Sequence, residues 1–200
     1  MNKYFMNNHH IYIGLVHYPV YNKHKQVVAS AVATVNLHDI ARLAKTYELG
    51  GYFIINPLED QHALIQRFLA HWLKGYGGQY NPRRIPPLYL IHCVYSLEEA
   101  VCFIKDKWNK IPQTIVTSAR NNIYNLDYAQ ARVLLRQREI PFLILFGTAW
   151  GLTEGLISQS NYVLKPIYGV GSYNHLSVRA AAAIILDRLL GGEDGCHPDD

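Results

Sequence analysis

Short apolar runs alternate with stretches of helical periodicity along almost the whole chain, and that alternation is the strongest restriction on its fold. Residues 10–17 (HIYIGLVH) have the character of a buried strand. Residues 18–35, with Pro19, Asn22, Lys23, His24 and Lys25, read as a long surface loop. Leu37, Ile40, Ala41, Ala44 and Tyr47 then recur at helical spacing, with Asn36 the expected N-cap. A second strand follows over 52–56, closed by Pro57. Leu64, Ile65, Phe68, Leu69, Trp72 and Leu73 fill one stripe of a helix, and Glu59 and Asp60 sit in its first turn, where the dipole favours acids. Residues 75–87 (GYGGQYNPRRIPP) read as a rigid, basic turn region, and 88–94 as a third strand. Ser96 and Glu99 form a capping-box pattern opening a helix that runs to Lys105. Strands at 115–116, 142–146 and 162–164 and helices over 128–137 and 176–190 complete the series.

Strands that alternate with helices imply an α/β fold, with a mostly parallel sheet of about six strands flanked by helices. Neither an internal repeat nor an interdomain linker is visible, so residues 1–191 are expected to form a single domain. Residues 192–200 (GEDGCHPDD) read as a flexible acidic tail. Half the residues are hydrophobic and 17% are charged, which excludes a disordered chain. No run of about eighteen apolar residues is present, and the first ten lack the apolar stretch of a signal peptide. The three cysteines (Cys93, Cys102, Cys196) form neither a framework nor a CxxC pair, so a cytoplasmic location and no membrane are expected. The formal net charge is +4, and four of the fifteen acids (Glu193, Asp194, Asp199, Asp200) fall in the last eight residues. The remainder is therefore basic enough to suit a polyanionic partner.

In open parallel sheets, ligands bind beyond the carboxyl ends of the strands, so the segments after each strand are where chemistry is expected. The first strand is followed by no GxGxxG, and Gly14 stands alone within it, which removes the main support for a Rossmann dinucleotide site. The absence of GxxxxGK[ST] excludes a P-loop, and the absence of GxSxG argues against an α/β-hydrolase. Glycines cluster late instead: Gly147 and Gly151 in FGTAWGLTEG, Gly169 and Gly171 in KPIYGVGSYNHLS. Such loops are either tight turns or backbone cradles for a ligand. The ten histidines show no HExxH or Cys/His cluster, so no metal is expected. His92 and Cys93 read as core, and His38 and Asp39 as the opening of a helix. His175, beside Asn174 and Ser177, stands where a loop enters a helix.

The segments HYPVYNK, NLHDIARLAKTYELGGYFIINPLE, HWLKGYG, TSAR, LFGTAWGL and KPIYGVGSYNHLSVRAAAAIILDRL together resemble the SPOUT, or α/β-knot, class of S-adenosylmethionine-dependent RNA methyltransferases. The resemblance runs from Ile11 to Leu190 and is closest to a small family found alone or fused to a tRNA guanine-N1 methyltransferase. It implies a deep C-terminal trefoil knot, which composition and periodicity do not predict. It implies S-adenosyl-L-methionine as cofactor, held by Thr117, Ser118 and Ala119, by Phe146, Gly147, Thr148, Trp150, Gly151 and Leu152, and by the segment 167–177, including Ile167, Gly169, Gly171, Asn174, Leu176 and Ser177. It also implies a homodimer in which both subunits line one site. The alanine-rich last helix is compatible with that interface and equally with burial in the monomer.

The ribose-methylating branch carries an Asn and, six positions on, an Arg, matched here by Asn36 and Arg42. Its last motif, SLNVSV, aligns with residues 173–178, so Tyr173 replaces a serine and His175 the asparagine. The branch's acidic residue has no counterpart, with Ala149 nearest. The implied catalytic residues are Arg42, to bind phosphate or orient a hydroxyl, His175, to accept a proton or donate a hydrogen bond, and Tyr173. Lys23 and Lys25, and Lys74, Arg83 and Arg84, each set among tyrosines, are candidate RNA contacts. The expected activity is methyl transfer to RNA, tRNA first, at the ribose 2′-oxygen ahead of a base. The alternative is a non-catalytic RNA- or cofactor-binding protein of the same fold.

Overall fold

The computed structural model describes residues 7–121, 123–171 and 173–192. Strand β1 (Asn8–Val16) lies within a six-stranded sheet, and this position explains its unbroken apolar character: Ile11, Ile13 and Leu15 point to one face, Tyr12 and Val16 to the other, and all are buried. The order is β5 (Ile91–Val94), β4 (Leu49–Ile55), β1, β7 (Phe142–Gly147), β6 (Gln113–Val116), β8 (Tyr162–Val163), and every pairing is parallel. Gly14 is a packing residue. A Cβ there would come within 2.8 Å of Leu145 and 3.3 Å of Ile55, so its absence lets side chains of the neighbouring strands close over β1.

One face is covered by α1 (Thr34–Thr46), α2 (Glu59–Leu73), α4 (Ile85–Leu88), α6 (Tyr128–Leu135) and α8 (Val178–Leu190). Their buried residues, Leu37 and Ile40 on α1, Ile65 on α2, Leu135 on α6 and Leu186 on α8 among them, join Ile13, Ile54 and Ile144 in one apolar cluster. The other face is covered by α5 (Leu97–Trp108) and α7 (Glu154–Gln159), through Ala100, Ile104 and Leu156 against Tyr12, Phe53 and Leu143. Here the Tyr12 hydroxyl, buried at the centre, accepts a hydrogen bond from Trp108 Nε1 at 2.9 Å. None of the described helices is long and apolar enough to cross a membrane.

Several expectations need correction. The loop over 18–35 contains a small antiparallel pair, β2 (Val20–Tyr21) with β3 (Val27–Val28), and its backbone docks on the turn after β7: Tyr21 N donates to Gly151 O (2.9 Å) and Trp150 N to Tyr21 O (3.0 Å). Asn36 is not the N-cap of α1. The cap is Ala33, without a side-chain bond, and Asn36 lies in the first turn. The turn region 75–87 is mostly helical, with α3 (Tyr76–Tyr80), a 3₁₀ turn (Pro82–Arg84) and the start of α4, so β5 begins only at Ile91. The Ser96–Glu99 pattern is half a capping box. Ser96 Oγ accepts from Glu99 N at 3.3 Å, but the Glu99 carboxylate accepts from Tyr95 N instead of Ser96 N. His92 and Cys93 are only half-buried, because β5 is an edge strand. The last helix starts at Val178, capped by Ser177 Oγ. Nearly all of the expected tail lies outside the described residues.

Candidate functional site

From β1 the chain builds outward to β4 and β5, then crosses to β6, and β7 returns to fill the place beside β1. The carboxyl ends of β1, β7 and β6 are thereby brought side by side where the winding reverses, which is where open α/β sheets bind ligands. His17, Thr117 and Thr148 are the first residues beyond those three ends, and all three line a cleft of about 1200 Å³. Its other walls come from residues 118–121, 146–152, 165–167 and 174–178, with Asn36 of α1 and Ala181 and Ile185 of α8. Small-molecule sites commonly enclose about 300–1000 Å³, so this one has room for a cofactor and part of a second substrate.

The floor of the cleft is knitted together by side-chain hydrogen bonds. Thr148 Oγ1 donates to Val16 O (2.9 Å), Ser30 Oγ contacts Thr148 Oγ1 (2.6 Å), and His17 Nδ1 contacts Ser30 Oγ (2.9 Å). With Thr148 donating to the carbonyl, Ser30 must donate to Thr148 and His17 Nδ1–H to Ser30, so that each contact has one proton. This order puts a proton on Nδ1 but does not itself set the charge of the ring; burial does, pushing the His17 pKa down to about 4 and favouring the neutral imidazole. On the β6 side Thr117 Oγ1 donates to Leu145 O (3.0 Å), and Ser118 Oγ accepts from Arg120 N (3.1 Å). Across the cleft Asn174 Nδ2 donates to Ala119 O (3.0 Å), tying the last loop to the first.

Two positions in the turn after β7 have backbone reasons for their residue types. A Cβ on Gly147 would meet Leu152 Cγ and N at 2.9 Å. Gly151 adopts a φ of +95°, which L side chains rarely tolerate, and open space lies where its Cβ would be. Ala149 has a positive φ of 50°, at the tip of the same turn.

Of the expected cofactor contacts, Thr117, Ser118, Ala119, Phe146, Gly147, Thr148, Trp150, Gly151, Leu152, Ile167, Asn174, Leu176 and Ser177 all line the cleft, as does His175. Gly169, Gly171 and Tyr173 do not line it; all three are exposed in the same loop, Tyr173 edge-on to His175 with ring centroids 5.6 Å apart. Ser172 lies outside the described residues. Arg42 is elsewhere, in a shallow groove between α1 and α8 with Asp39, Thr46, Arg179, Ala180 and Ala183. Asp39, read with His38 as the opening of a helix, sits past the first turn of α1 and pairs with Arg179 at 3.7 Å. Lys23 and Lys25 project from the β2–β3 turn, and Lys74, Arg83 and Arg84 from the corner between α2 and α4, all exposed. Sequence reasoning missed His17, Ser30, Arg120 and Lys165 as cleft residues. The strand-end rule alone would have found His17 and Arg120. Nothing in the sequence marks Ser30, which reaches the site through the fold of the loop.

A family model described as SAM-dependent RNA methyltransferase matches residues 10–191. The chain is 38% identical over 186 residues to an uncharacterized protein of Aquifex aeolicus, covering 93% of this chain and 91% of that one. It is 43% identical over 181 residues to a tRNA (guanine-N(1)-)-methyltransferase of Oleidesulfovibrio alaskensis, covering 90% of this chain but 42% of that protein, so it spans less than half of that relative's length. Among solved structures it superposes on the SpoU methyltransferase AviRb from Streptomyces viridochromogenes in complex with AdoMet, with a TM-score of 0.53 at 16% identity, covering 90% of this chain and 56% of that one. The cleft fits such a cofactor. Its backbone-rich turns lie at the strand ends, Phe146, Leu152, Ile167 and Leu176 supply apolar walls, and two cations border it, Lys165 and Arg120, the latter paired with Glu154 at 3.5 Å. On sequence across nearly its whole described length, the chain belongs to the SAM-dependent RNA methyltransferases.

Proposed function

We propose that this chain methylates tRNA in the cytoplasm, at a ribose 2′-oxygen in preference to a base. The observation that carries the reading is the position of the cleft, at the joined carboxyl ends of β1, β6 and β7, lined by every described loop that the family resemblance assigns to the cofactor. Transfer RNA is favoured because the relative from Oleidesulfovibrio alaskensis carries that substrate in its name. The ribose is favoured by the six-residue spacing of Asn36 and Arg42 in the sequence, the pattern of the ribose-methylating branch.

S-adenosylmethionine, when bound, supplies a methyl group already activated as a sulfonium. The protein must then hold donor and acceptor in line and remove a proton from the acceptor. Thr117, Gly147 and Ile167 belong to the three turns that would wrap the donor. Among the described residues, no carboxylate lines the cleft. His175, exposed at its rim, is therefore our candidate to receive the proton, and Tyr173 beside it our candidate to orient the acceptor. Arg42 is always cationic, so its role is to bind the phosphate next to the target.

Arg42 lies beyond α8 from the cleft of its own chain: Val178, Ala181 and Ile185 of that helix face the cleft, while Arg179, Ala180 and Ala183 face the groove that holds Arg42. We therefore propose a homodimer joined along α1 and α8, with Arg42 of one copy serving the cleft of the other. We further propose that residues 1–191 form a single domain whose C-terminal segment is threaded into a trefoil knot. The bond from Asn174 to Ala119 and the packing of α8 against α1 and α6 support that reading.

The test is incubation of the purified chain with tritiated S-adenosylmethionine and total tRNA, followed by nucleoside mass spectrometry. Label in a 2′-O-methylnucleoside is the expected result. Label in a methylated base overturns the ribose assignment, and cofactor binding without transfer to any tRNA overturns the proposed substrate.

A further inference from the structure

From Gln61 to Leu97 the chain contains no Asp or Glu, while it carries Arg67, Lys74, Arg83 and Arg84. The corner between α2 and α4 gathers three of these cations around a small aromatic surface. Arg84 lies over the Trp72 ring, 5.1 Å from its centroid. Tyr76 and Tyr80, four residues apart on one face of α3, stack with centroids 6.1 Å apart and are 70% and 79% exposed. Rings left this open, beside cations that form no ion pair among the described residues, serve no core.

The segment YGGQY explains how the tyrosines are held. Gly77 and Gly78 are buried against α2: a Cβ on Gly77 would come within 2.8 Å of His71 Nε2, and one on Gly78 within 2.2 Å of Trp72 O. The two glycines let α3 dock flush on the end of α2, which turns the flanking tyrosines outward. The corner also leads to the cleft. His38 of α1 packs edge-on against Trp72 at 4.6 Å, and Asn36, two residues earlier, lines the cleft. Arg42 follows one turn after His38 on the same helix.

We propose that this corner is a docking platform for an unpaired stretch of the RNA substrate, with bases stacked on Tyr76 and Tyr80 and phosphates held by Lys74, Arg83 and Arg84. The proposal rests on the methyltransferase reading for the identity of the polyanion, and it narrows the substrate class to RNA presenting single-stranded nucleotides. Stacking platforms need an exposed base face, which a duplex hides, whereas cations alone bind single and double strands alike. An acidic protein would satisfy the cations but leave the paired tyrosine faces without a matching planar group.

The experiment is fluorescence anisotropy with a labelled RNA strand of about twelve nucleotides, within the span of known single-strand sites, alone and annealed to its complement. The single strand is expected to bind about 10-fold tighter than the duplex, and Tyr76→Ala/Tyr80→Ala to erase that preference by weakening the single strand about 10-fold or more. The exposed tyrosines leave the fold intact, which an unchanged thermal midpoint checks. Equal affinity for single strand and duplex, or an unchanged single-strand affinity in the double variant, overturns the proposal. Calorimetry with S-adenosylmethionine runs in parallel: loss of cofactor binding would sink the methyltransferase reading, whereas the anisotropy arms need no cofactor and report on the platform alone.

Discussion

The two long walls of the cleft are built differently. The wall under β1 and β7 is fixed: His17, Ser30 and Thr148 form one chain of hydrogen bonds ending on the Val16 carbonyl, and His17 is buried. The facing wall, residues 167–177, presents Tyr168, Val170, Tyr173 and Leu176 to solvent, and Asn174 to Ala119 is its side-chain tie to the rest of the site among the described residues. A donor common to a whole family suits the fixed wall, because preorganised polar groups need no rearrangement when it binds. Large exposed side chains on the other wall suit a surface completed by something else, the RNA or a second copy.

The sharpest way to break this contrast is Arg42→Ala, which removes the cation that the proposed second copy would lend to the open wall. Turnover should fall about 10²–10³-fold with cofactor affinity retained, measured by single-turnover methylation and calorimetry. Full turnover would remove Arg42 from the mechanism. Next comes acid. His17 has a folded pKa of about 4 against an ordinary 6.5, so between those values the unfolded chain binds a proton that the folded chain does not. Stability from this group is complete above pH 6.5 and declines by about 3 kcal/mol as pH falls to 4. His10, His38 and His92 are shifted down by burial as well and add to the same trend. Denaturant titrations at several pH values should show a shallower slope in His17→Gln than in the parent.

Smaller effects separate the walls further. Ser30→Ala breaks the middle of the relay and leaves His17 Nδ1 and Thr148 Oγ1 each short of a partner. The expected loss is about 1–3 kcal/mol, with weaker cofactor binding seen by calorimetry. Gly147→Ala forces a methyl group onto Leu152, at a cost of about 1–3 kcal/mol in chemical denaturation. At the bottom of the range, Tyr173→Ala should change stability by less than about 0.5 kcal/mol while methylation slows. A large stability loss there would show that the open wall is as fixed as the other.

The same contrast governs what could be read from the sequence. Strand and helix order was legible because burial on both faces of a parallel sheet demands continuous apolar runs, as in 142–146. The glycine-rich turns were legible because Gly147 and Gly151 answer to local backbone needs. Ser30 was not legible, since its contact with Thr148 joins residues 118 positions apart and depends on how the β2–β3 pair docks. The helical character of 75–87 was hidden by its glycines and prolines, which usually punctuate helices; here Gly77 and Gly78 let α3 pack on Trp72, and the prolines sit in the first positions of short helical turns.

Helix α8 has a consequence of its own. Ala180 borders the groove and Ala181 the cleft, so near its start a single thickness of main chain separates the two spaces. At Ala180 and Ala181 only a methyl group on each side stands to absorb a push. A bulkier residue at Ala180 would press on the same partition that shapes the cleft, so the groove and the cleft cannot be reshaped independently at this helix.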